Sequence, residues 1–320
     1  MKIFLETIEN LARQAFPRAT LVSHHLLAKD SGNLDYLLQL QEPAVKIILR
    51  IYPDVMSELD IEKEIYVLRV VMPETGVPTR RVIHFDDSRT VADWPFALLN
   101  FLPGEPLKKA LSRMDEMDQE SAGYEMGRYL AKLHTIPLDK FGEFLGNDPE
   151  SSASEKAYTL TRFTDWLGFC EEKSLLNSSA IAELYRLAGQ TRALDRDKAC
   201  FVHGNYHGGN ISLEEGFGGF HVTGVFNFGH ARGWSPEWDM ACLAVHDLDD
   251  YPSCMKGFLD GYVDAARFPE NFWERFVLYQ LVANVRFTLD AYGQDDESLL
   301  NLYRARLYRS LENRLDKSVG

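Results

Sequence analysis

A strand-rich segment at residues 199–231 constrains the fold of this chain more than any other feature. It reads ACFVHGNYHGGNISLEEGFGGFHVTGVFNFGHA. The apolar run Ala199–Val202 predicts a short strand. Asn210–Leu213 and Phe220–Phe226 predict two more, joined by the glycine-rich turn Glu214–Gly219. A β-hairpin is therefore expected to follow closely on a buried strand.

Two polar loops flank this hairpin. The first begins with His203-Gly204-Asn205 and runs to Asn210, and the second is Asn227-Phe228-Gly229. Because the strands of a hairpin end side by side, we expect the two loops to lie close together. Polar side chains at neighbouring strand ends predict a functional site.

The N-terminal third of the chain is also rich in predicted strands. Leu34–Leu40 and Val45–Tyr52 are apolar runs separated by Gln41-Glu42-Pro43-Ala44, which predicts a hairpin turn. A second strand pair is predicted at 81–85 and 96–101. This part of the chain is expected to form a sheet.

A charged pair is expected between this sheet and the helix that follows its second strand. In KIILRIY, strand alternation places Lys46 and Arg50 on one face. Ser57 opens a helix with a capping box, and Glu64 lies at the edge of the apolar stripe of that helix. A partly buried carboxylate needs a cation, since leaving it unpaired is costly. Arg50 is the favoured partner of Glu64 and Lys46 the alternative, and the spacing is equally compatible with a surface pair.

Strands give way to helices at the segment LLNFLPGEPL, whose prolines and glycine interrupt regular structure. Beyond it, helical patterns are found at 121–136, at 157–170, at 178–194 and in most of the chain from Asn271. We therefore expect an α+β protein with a strand-rich part at residues 1–103 and a mainly helical part at 104–320.

Composition excludes some classes of partner. The formal net charge is -14, whereas nucleic-acid and anionic-membrane binders carry basic surfaces. Neither nucleic acid nor a membrane is therefore expected as a partner, and the charge would suit a cationic ligand. No apolar run reaches membrane-spanning length, and the four cysteines are scattered without paired spacing. A cytoplasmic protein with reduced thiols is the expectation.

Several motifs along the chain combine into one recognisable pattern. They are His203-Gly204-Asn205 with Asn210, Asn227-Phe228-Gly229, Asp239-Met240-Ala241, ILRIY with Glu64 in the next helix, FALLNFLPGEPL, and GRYLAKLHTIP around His134. Together they resemble the aminoglycoside phosphotransferase/choline kinase family of small-molecule phosphotransferases. The resemblance implies a two-lobe, protein-kinase-like fold. Residues 1–103 would form the nucleotide-binding lobe, and residues 104–320 would carry the catalytic-like loop and the substrate site.

The resemblance also implies a role for each motif residue. Arg50 would contact the nucleotide phosphates and be held by Glu64, with Lys46 and Asn100 as further cofactor-binding positions. Position 205 would accept the proton of the substrate hydroxyl.

The remaining motif residues would hold the metal and the loop. Asn210 and Asn227 stand at the metal-binding positions, and His203 and Asp239 would brace the catalytic loop. The implied cofactor is ATP or another nucleoside triphosphate with Mg²⁺. The implied partner is a small hydroxyl-bearing acceptor.

Two positions depart from the family pattern, because Asn205 and Asn227 stand where it has aspartate. An amide is not a base, and a missing general base costs roughly 10²–10⁴-fold in rate. Magnesium is usually held by one or two carboxylates together with substrate phosphates, so the neutral pair Asn210 and Asn227 argues against Mg²⁺ binding. Glu214 or Glu215 would have to replace the missing charge from further along the hairpin.

The departures leave three functions open. The chain is an ATP-dependent O-phosphotransferase that is inactive or strongly impaired, a pseudokinase that binds a nucleotide or metabolite as a sensor or scaffold, or a kinase fold reused for other chemistry. Natural and deliberately introduced asparagines are equally compatible with the sequence.

Histidines cluster around the hairpin at positions 203, 207, 221 and 230. No H-E-x-x-H motif or other zinc-ligand spacing accompanies them, so bracing of the loops is favoured over a zinc site.

Overall fold

The structure is a computed structural model that describes residues 4–30, 33–53, 57–145, 151–190, 193–268 and 271–318. In these residues the helices are α1 (Leu5–Arg13), α2 (Glu58–Tyr66), α3 (Leu107–Leu111), α4 (Glu116–His134), α5 (Glu155–Glu172), α6 (Ser178–Gln190), α7 (Pro236–His246), α8 (Pro252–Ala265), α9 (Phe272–Gly293) and α10 (Glu297–Ser318). The strands are β1 (Leu21–Asp30), β2 (Asn33–Leu40), β3 (Lys46–Ile51), β4 (Val82–Asp86), β5 (Phe96–Asn100), β6 (Glu105–Pro106), β7 (Pro137–Leu138), β8 (Ala199–Val202), β9 (Ile211–Gly216), β10 (Gly219–Val225) and β11 (Arg232–Trp234).

The chain divides into two compact units. The first comprises Met1–Glu105 together with Ser212–Glu214 and Val222–Gly229, and the second comprises the remaining residues. Strands dominate the first unit and helices the second, which confirms the predicted α+β class.

The first unit is built on a five-stranded antiparallel sheet with the order β1-β2-β3-β5-β4. The β2–β3 hairpin confirms the prediction from the flanking apolar runs. Its register places Asp35 directly opposite Arg50. Ile8 and Leu11 of α1 pack against one face of the sheet, where Leu38 and Leu49 are fully buried.

Strand β1 is not evident from the sequence. It is the edge strand of the sheet, and Val22, Leu26 and Leu27 are exposed on it. Burial of one face creates the apolar–polar alternation from which strands are predicted, and an exposed edge strand lacks that alternation.

Helix α2 begins as the capping-box pattern predicts. The Ser57 hydroxyl accepts a hydrogen bond from the backbone N–H of Asp60 at 3.1 Å. Helix α4 begins earlier than predicted, at Glu116 instead of Ser121, because the Asp115 carboxylate accepts from the N–H of Asp118 at 2.8 Å. Polar caps thus decide where both helices begin.

Helices α4 and α8 of the second unit approach backbone to backbone. Gly123 and Gly127 of α4 face Gly257 and Gly261 of α8. A Cβ built on Gly127 would lie 2.0 Å from the carbonyl oxygen of Phe258. Glycine at these positions is therefore what permits the close packing of the two helices.

Replacing Gly127 with alanine is expected to lower the free energy of unfolding by about 1–3 kcal/mol, because neither backbone can yield to the added methyl group. Gly189→Ala on α6 is the matched control, since a Cβ there has no neighbour within 4 Å. That control should stabilise the protein by about 0.5–1 kcal/mol through helix propensity alone. Urea denaturation of both variants checks the prediction, and equal effects of the two changes would contradict it.

The β9–β10 hairpin is longer and its turn tighter than predicted. The strands extend to Gly216 and from Gly219, so Phe217 and Gly218 form the turn in place of the predicted Glu214–Gly219. Strand β9 lies between β10 and β6 in a three-stranded sheet, and β8 lies between β11 and β7 in another. None of the helices among the described residues is long and apolar enough to cross a membrane.

Candidate active site

The loop after β8 is held by a buried carboxylate of α7. Asp239, which is fully buried, accepts the backbone N–H groups of His203 at 2.6 Å and Gly204 at 2.8 Å. The imidazole Nε2 of His134, at the end of α4, lies 3.1 Å from the same carboxylate. Tyr262 of α8 hydrogen-bonds the other ring nitrogen of His134 at 3.0 Å. Three helices thus converge on the start of the loop.

Glycine is required at the second loop position. Gly204 has a φ of 81°, and a Cβ there would lie 2.0 Å from the carbonyl oxygen of His230. The indole Nε1 of Trp238 donates to the Gly204 carbonyl at 3.0 Å. Trp238 is therefore part of the loop support and packs, nearly buried, against Trp234 at 4.4 Å between ring centroids.

The two asparagines of this loop are linked to each other. The backbone N–H of Asn205 donates to Nδ1 of His203 at 3.2 Å, and its carbonyl accepts from the Asn210 amide at 2.9 Å. His203 and Asn210 are buried, whereas Asn205 is partly accessible. The arrangement closes the loop on itself and leaves position 205 near solvent.

A second carboxylate of the same helix region holds the middle of the loop. Asp247, which directly follows α7, accepts the N–H of Gly208 at 2.5 Å and lies 3.1 Å from Nδ1 of His246. The rings of His207 and His246 stack at 4.3 Å between centroids. Burial lowers the pKa of His207 to about 3, with repulsion from His246 adding to the effect. His207 is therefore neutral at physiological pH.

One group of candidate metal donors is found in the described part of the chain, and it comprises His207, His246 and Asp247. One donor atom from each residue lies within 4.8 Å of the others. Nδ1 of His207 accepts the Gly209 N–H at 3.1 Å, and its Nε2 lies 3.2 Å from the Asn210 amide nitrogen. The Asp247 carboxylate already serves the loop. These contacts indicate that the two histidines support the loop, the role that the sequence favours over a zinc site.

The first unit contains a buried ionic cluster around β3. Arg50 donates through Nε and Nη2 to the two carboxylate oxygens of Asp35, at 2.7 and 2.8 Å, and through Nη1 to Glu64. Arg80 donates to the same Asp35 carboxylate at 2.6 Å. The pairing of Glu64 with Arg50, and not with Lys46, agrees with the preferred sequence interpretation.

The charges of this cluster are unequally compensated. Burial alone would raise the pKa of Asp35, but Arg50 and Arg80 hold it at about 2. Burial alone would lower the pKa of Arg50, but Glu64 and Asp35 outweigh it and hold that pKa well above its ordinary value. Burial lowers the pKa of Arg80, because Asp35 offsets it only in part and Arg50 repels it. Arg50 is electrostatically satisfied and Arg80 is not.

The other two cofactor positions predicted from the sequence lie apart from this cluster. Lys46 is exposed at the start of β3, with its ammonium 5.6 Å from the ring centroid of Phe101. Asn100 ends β5, where its side-chain oxygen accepts from the backbone N–H of Arg81.

Asn227 follows β10 in the first unit and has a left-handed φ of 65°. Such a conformation is uncommon for a residue other than glycine, although asparagine adopts it more readily than most.

A comparison with known families identifies the chain. Residues 24–275 match the family model described as the phosphotransferase enzyme family, APH. The chain belongs to the phosphotransferase enzyme family. The matched region includes β3, both polar loops and Asp239, the residues on which the resemblance in the sequence depended. No curated protein matches the sequence of this family member.

Solved structures similar to this phosphotransferase-family protein include aminoglycoside phosphotransferases. A thermostable mutant of APH(4)-Ia is 12% identical with a TM-score of 0.68, over 95% of this chain and 98% of that one. APH(2″)-IIIa with GDP and kanamycin is 14% identical with a TM-score of 0.68, over 96% and 98%. ADP-bound APH(2″)-Ib is 16% identical with a TM-score of 0.65, over 96% and 98%. At these identities the likeness establishes the expected kinase-like fold.

The residues of this family member do not fit the magnesium ion that the family implies. Asn210 and Asn227 offer neutral amide oxygens and no carboxylate charge. The buried carboxylates beside the loop, Asp239 and Asp247, accept backbone N–H groups. A hard divalent cation prefers a free carboxylate.

The glutamates considered as replacements are not placed to supply one. Glu214 and Glu215 are exposed on β9, and Glu215 pairs with Arg113 at 3.2 Å. The hairpin directs both side chains to solvent and not into a buried donor set.

Sequence reasoning missed Asp35, Arg80 and Asp247. The predicted turn between Leu40 and Val45 already implied the register that sets Asp35 opposite Arg50, so this pair could have been found. Arg80 and Asp247 carried no local signal, because their partners lie 45 and 39 residues away in the chain.

Proposed function

We propose that this chain binds a nucleoside triphosphate. Transfer of the terminal phosphoryl group to a small hydroxyl-bearing acceptor is strongly slowed or abolished in it. The observation that carries the proposal is the braced loop of the second unit, in which Asp239 holds the backbone next to Asn205, the residue proposed for the proton-accepting position. The frame of a catalytic loop is present without its base.

The nucleotide part of the proposal is supported by the first unit. Arg50 and Glu64 form the buried pair that anchors the phosphate-binding strand in kinase-like enzymes. Asn100 stands at the end of β5, in the segment proposed to lie beside the nucleotide base. Related structures contain ADP or GDP, so ATP and GTP are both candidate ligands. Exposed Lys46 has no role in this proposal.

The impaired chemistry follows from two amides. Phosphoryl transfer depends on positioning the acceptor hydroxyl and on neutralising the charge of the phosphates. Asn205 can accept a hydrogen bond from that hydroxyl but cannot take its proton. Asn227 and Asn210 bring no negative charge to recruit a divalent cation. Both catalytic contributions are therefore weakened while the binding frame is retained.

The acceptor is proposed to be a small molecule with a free hydroxyl group. Structures of relatives contain hygromycin B, kanamycin and gentamicin. A net charge of -14 favours a cationic acceptor of this kind.

Nucleotide binding and hydrolysis test this proposal. We expect ATP or GTP to raise the melting temperature of the unsubstituted chain while hydrolysis stays at background. Asn205→Asp combined with Asn227→Asp should restore magnesium-dependent hydrolysis by about 10²–10⁴-fold, the usual contribution of a general base. The control is Asn10→Asp with Asn301→Asp, which makes the same charge change at two exposed helix positions.

Two results would overturn the proposal. One is that neither the unsubstituted chain nor the Asn205→Asp/Asn227→Asp variant is stabilised by nucleotide. The other is that the unsubstituted chain hydrolyses nucleotide as fast as that variant, because Asn205 would then not limit the rate.

A further inference from the structure

Arg80 packs on the residue that precedes Asn227, the position at which the family would hold its metal ion. The backbone N–H of Val225 donates to the Pro78 carbonyl at 2.8 Å, and the Thr79 hydroxyl donates to the Val225 carbonyl at 2.9 Å. The guanidinium of Arg80 stacks over the ring of Phe226 at 4.7 Å. Phe226 directly precedes Asn227, so the cation at the end of β10 contacts the residue adjoining position 227.

The cluster around Arg80 can accept further negative charge. Asp35, Arg50 and Glu64 alone would sum to one negative charge, which would repel a phosphate. Arg80 brings the sum to zero. Its Nε is buried and has no hydrogen-bond partner among the residues described.

Arg50 is a weaker candidate for a phosphate ligand than Arg80. Three of its five N–H groups, one on each nitrogen, donate to Asp35 and Glu64. Arg80 shares a carboxylate that Arg50 already holds bidentately, and its charge is compensated only in part. A guanidinium with an unused donor is suited to phosphate oxygens.

We propose that this protein binds its nucleotide without a divalent cation, and that Arg80 supplies to the phosphates the positive charge that Asn227 does not recruit. This inference rests on the proposed nucleotide binding and identifies its electrostatic basis. Asp35 then competes with the phosphates for Arg80, so it weakens the binding that Arg80 supports.

The test compares ATP dissociation constants in EDTA and in magnesium, measured by titration calorimetry. The unsubstituted chain should bind ATP equally well in both. Arg80→Gln should weaken binding in EDTA by about tenfold or more, the loss expected for one charge-assisted contact. Arg81→Gln makes the same charge change at the adjacent exposed residue and should leave the dissociation constant unchanged.

Asp35→Asn separates a phosphate-binding role from a structural one. It should tighten ATP binding in EDTA, because it removes the carboxylate that competes for Arg80. If the cluster only stabilised the fold, Arg80→Gln and Asp35→Asn would both weaken binding in step with lowered melting temperatures. Arg80→Lys keeps the charge and should retain binding even if Arg80→Gln fails to fold.

The outcomes distinguish this inference from the proposed function. Two outcomes would overturn the inference and leave the proposed function standing. In one, the unsubstituted chain binds nucleotide only with magnesium. In the other, Arg80→Gln does not change nucleotide binding. No binding of ATP or GTP under either condition would overturn both. Asn227→Asp should make nucleotide binding depend on magnesium. If binding stays independent of magnesium in that variant, Arg80 does not take the place of the metal charge.

Discussion

Replacing Arg275 with methionine is expected to lower the free energy of unfolding by about 3–5 kcal/mol, the usual loss when a buried ion pair is broken on one side. Arg275 lies on α9 with a side chain only 2% exposed. Its Nε donates to Glu237 at 2.8 Å, and its Nη2 donates to Glu155 and to the Ser235 hydroxyl. Methionine would leave two fully buried glutamates without their main cation.

The Arg275 contacts explain why the effect should be large. Burial alone would lower the pKa of Arg275, but Glu237 and Glu155 outweigh it and raise that pKa above its ordinary value. Tyr279 also donates to Glu155, at 2.9 Å, so the carboxylate keeps a hydrogen bond but loses its counter-charge. The network joins helices α5, α7 and α9, and α7 carries Asp239.

Denaturant unfolding with two further variants checks this prediction. Adding Glu155→Gln and Glu237→Gln to Arg275→Met should recover part of the loss, because neutral amides leave no uncompensated charge. Arg286→Met is the control, since Arg286 forms a half-exposed pair with Asp290 at 2.8 Å. Its effect should be within about 1 kcal/mol. A control effect as large as that of Arg275→Met would contradict the importance of burial.

Asp239→Asn is expected to lower the free energy of unfolding by about 2–5 kcal/mol, because an amide cannot accept from every donor that the carboxylate serves. At the Oδ1 position its NH₂ group would face the N–H of Gly204, and at the Oδ2 position it would face both the N–H of His203 and the His134 ring. The resulting unpaired, buried N–H groups account for the loss.

The Asp239 variant should also loosen the loop locally. Trp238 donates to the Gly204 carbonyl, so its fluorescence emission reports on the loop. We expect a red shift of that emission in Asp239→Asn under conditions where the protein remains folded. Asp260→Asn, at an exposed position of α8, is the matched control and should change neither stability nor emission. An unchanged emission in Asp239→Asn would show that the loop does not depend on this carboxylate.

Much of the local structure could be predicted, because it depends on contacts between residues close in the chain. The β2–β3 hairpin, the cap at Ser57 and the three strands around the polar loops all follow from patterns within about ten residues. Arg50 pairs with Glu64 as the sequence favours, because the strand and helix periodicities place both side chains toward one core. The exposed edge strand β1 did not follow, because it lacks a buried face.

Tertiary structure decided how the polar groups are used. Asp247 accepts the Gly208 N–H in the interior. Trp234 and Trp238 stack in the core and do not line an open pocket. Such outcomes depend on which helices pack together, and in this protein glycine contacts between α4 and α8 contribute to that packing.

The fold class and the residue types at positions 205 and 227 follow from the amino-acid sequence alone. Asn205 and Asn227 are amides in any fold, so no structure is needed to exclude a base or a carboxylate at these two positions. The use of Asp239 and Asp247 to hold the loop backbone, and of Asp35 to join Arg50 to Arg80, is set by tertiary packing. Hydrogen bonds between residues some 35 to 45 positions apart depend on the packing of whole elements, which local periodicity does not encode.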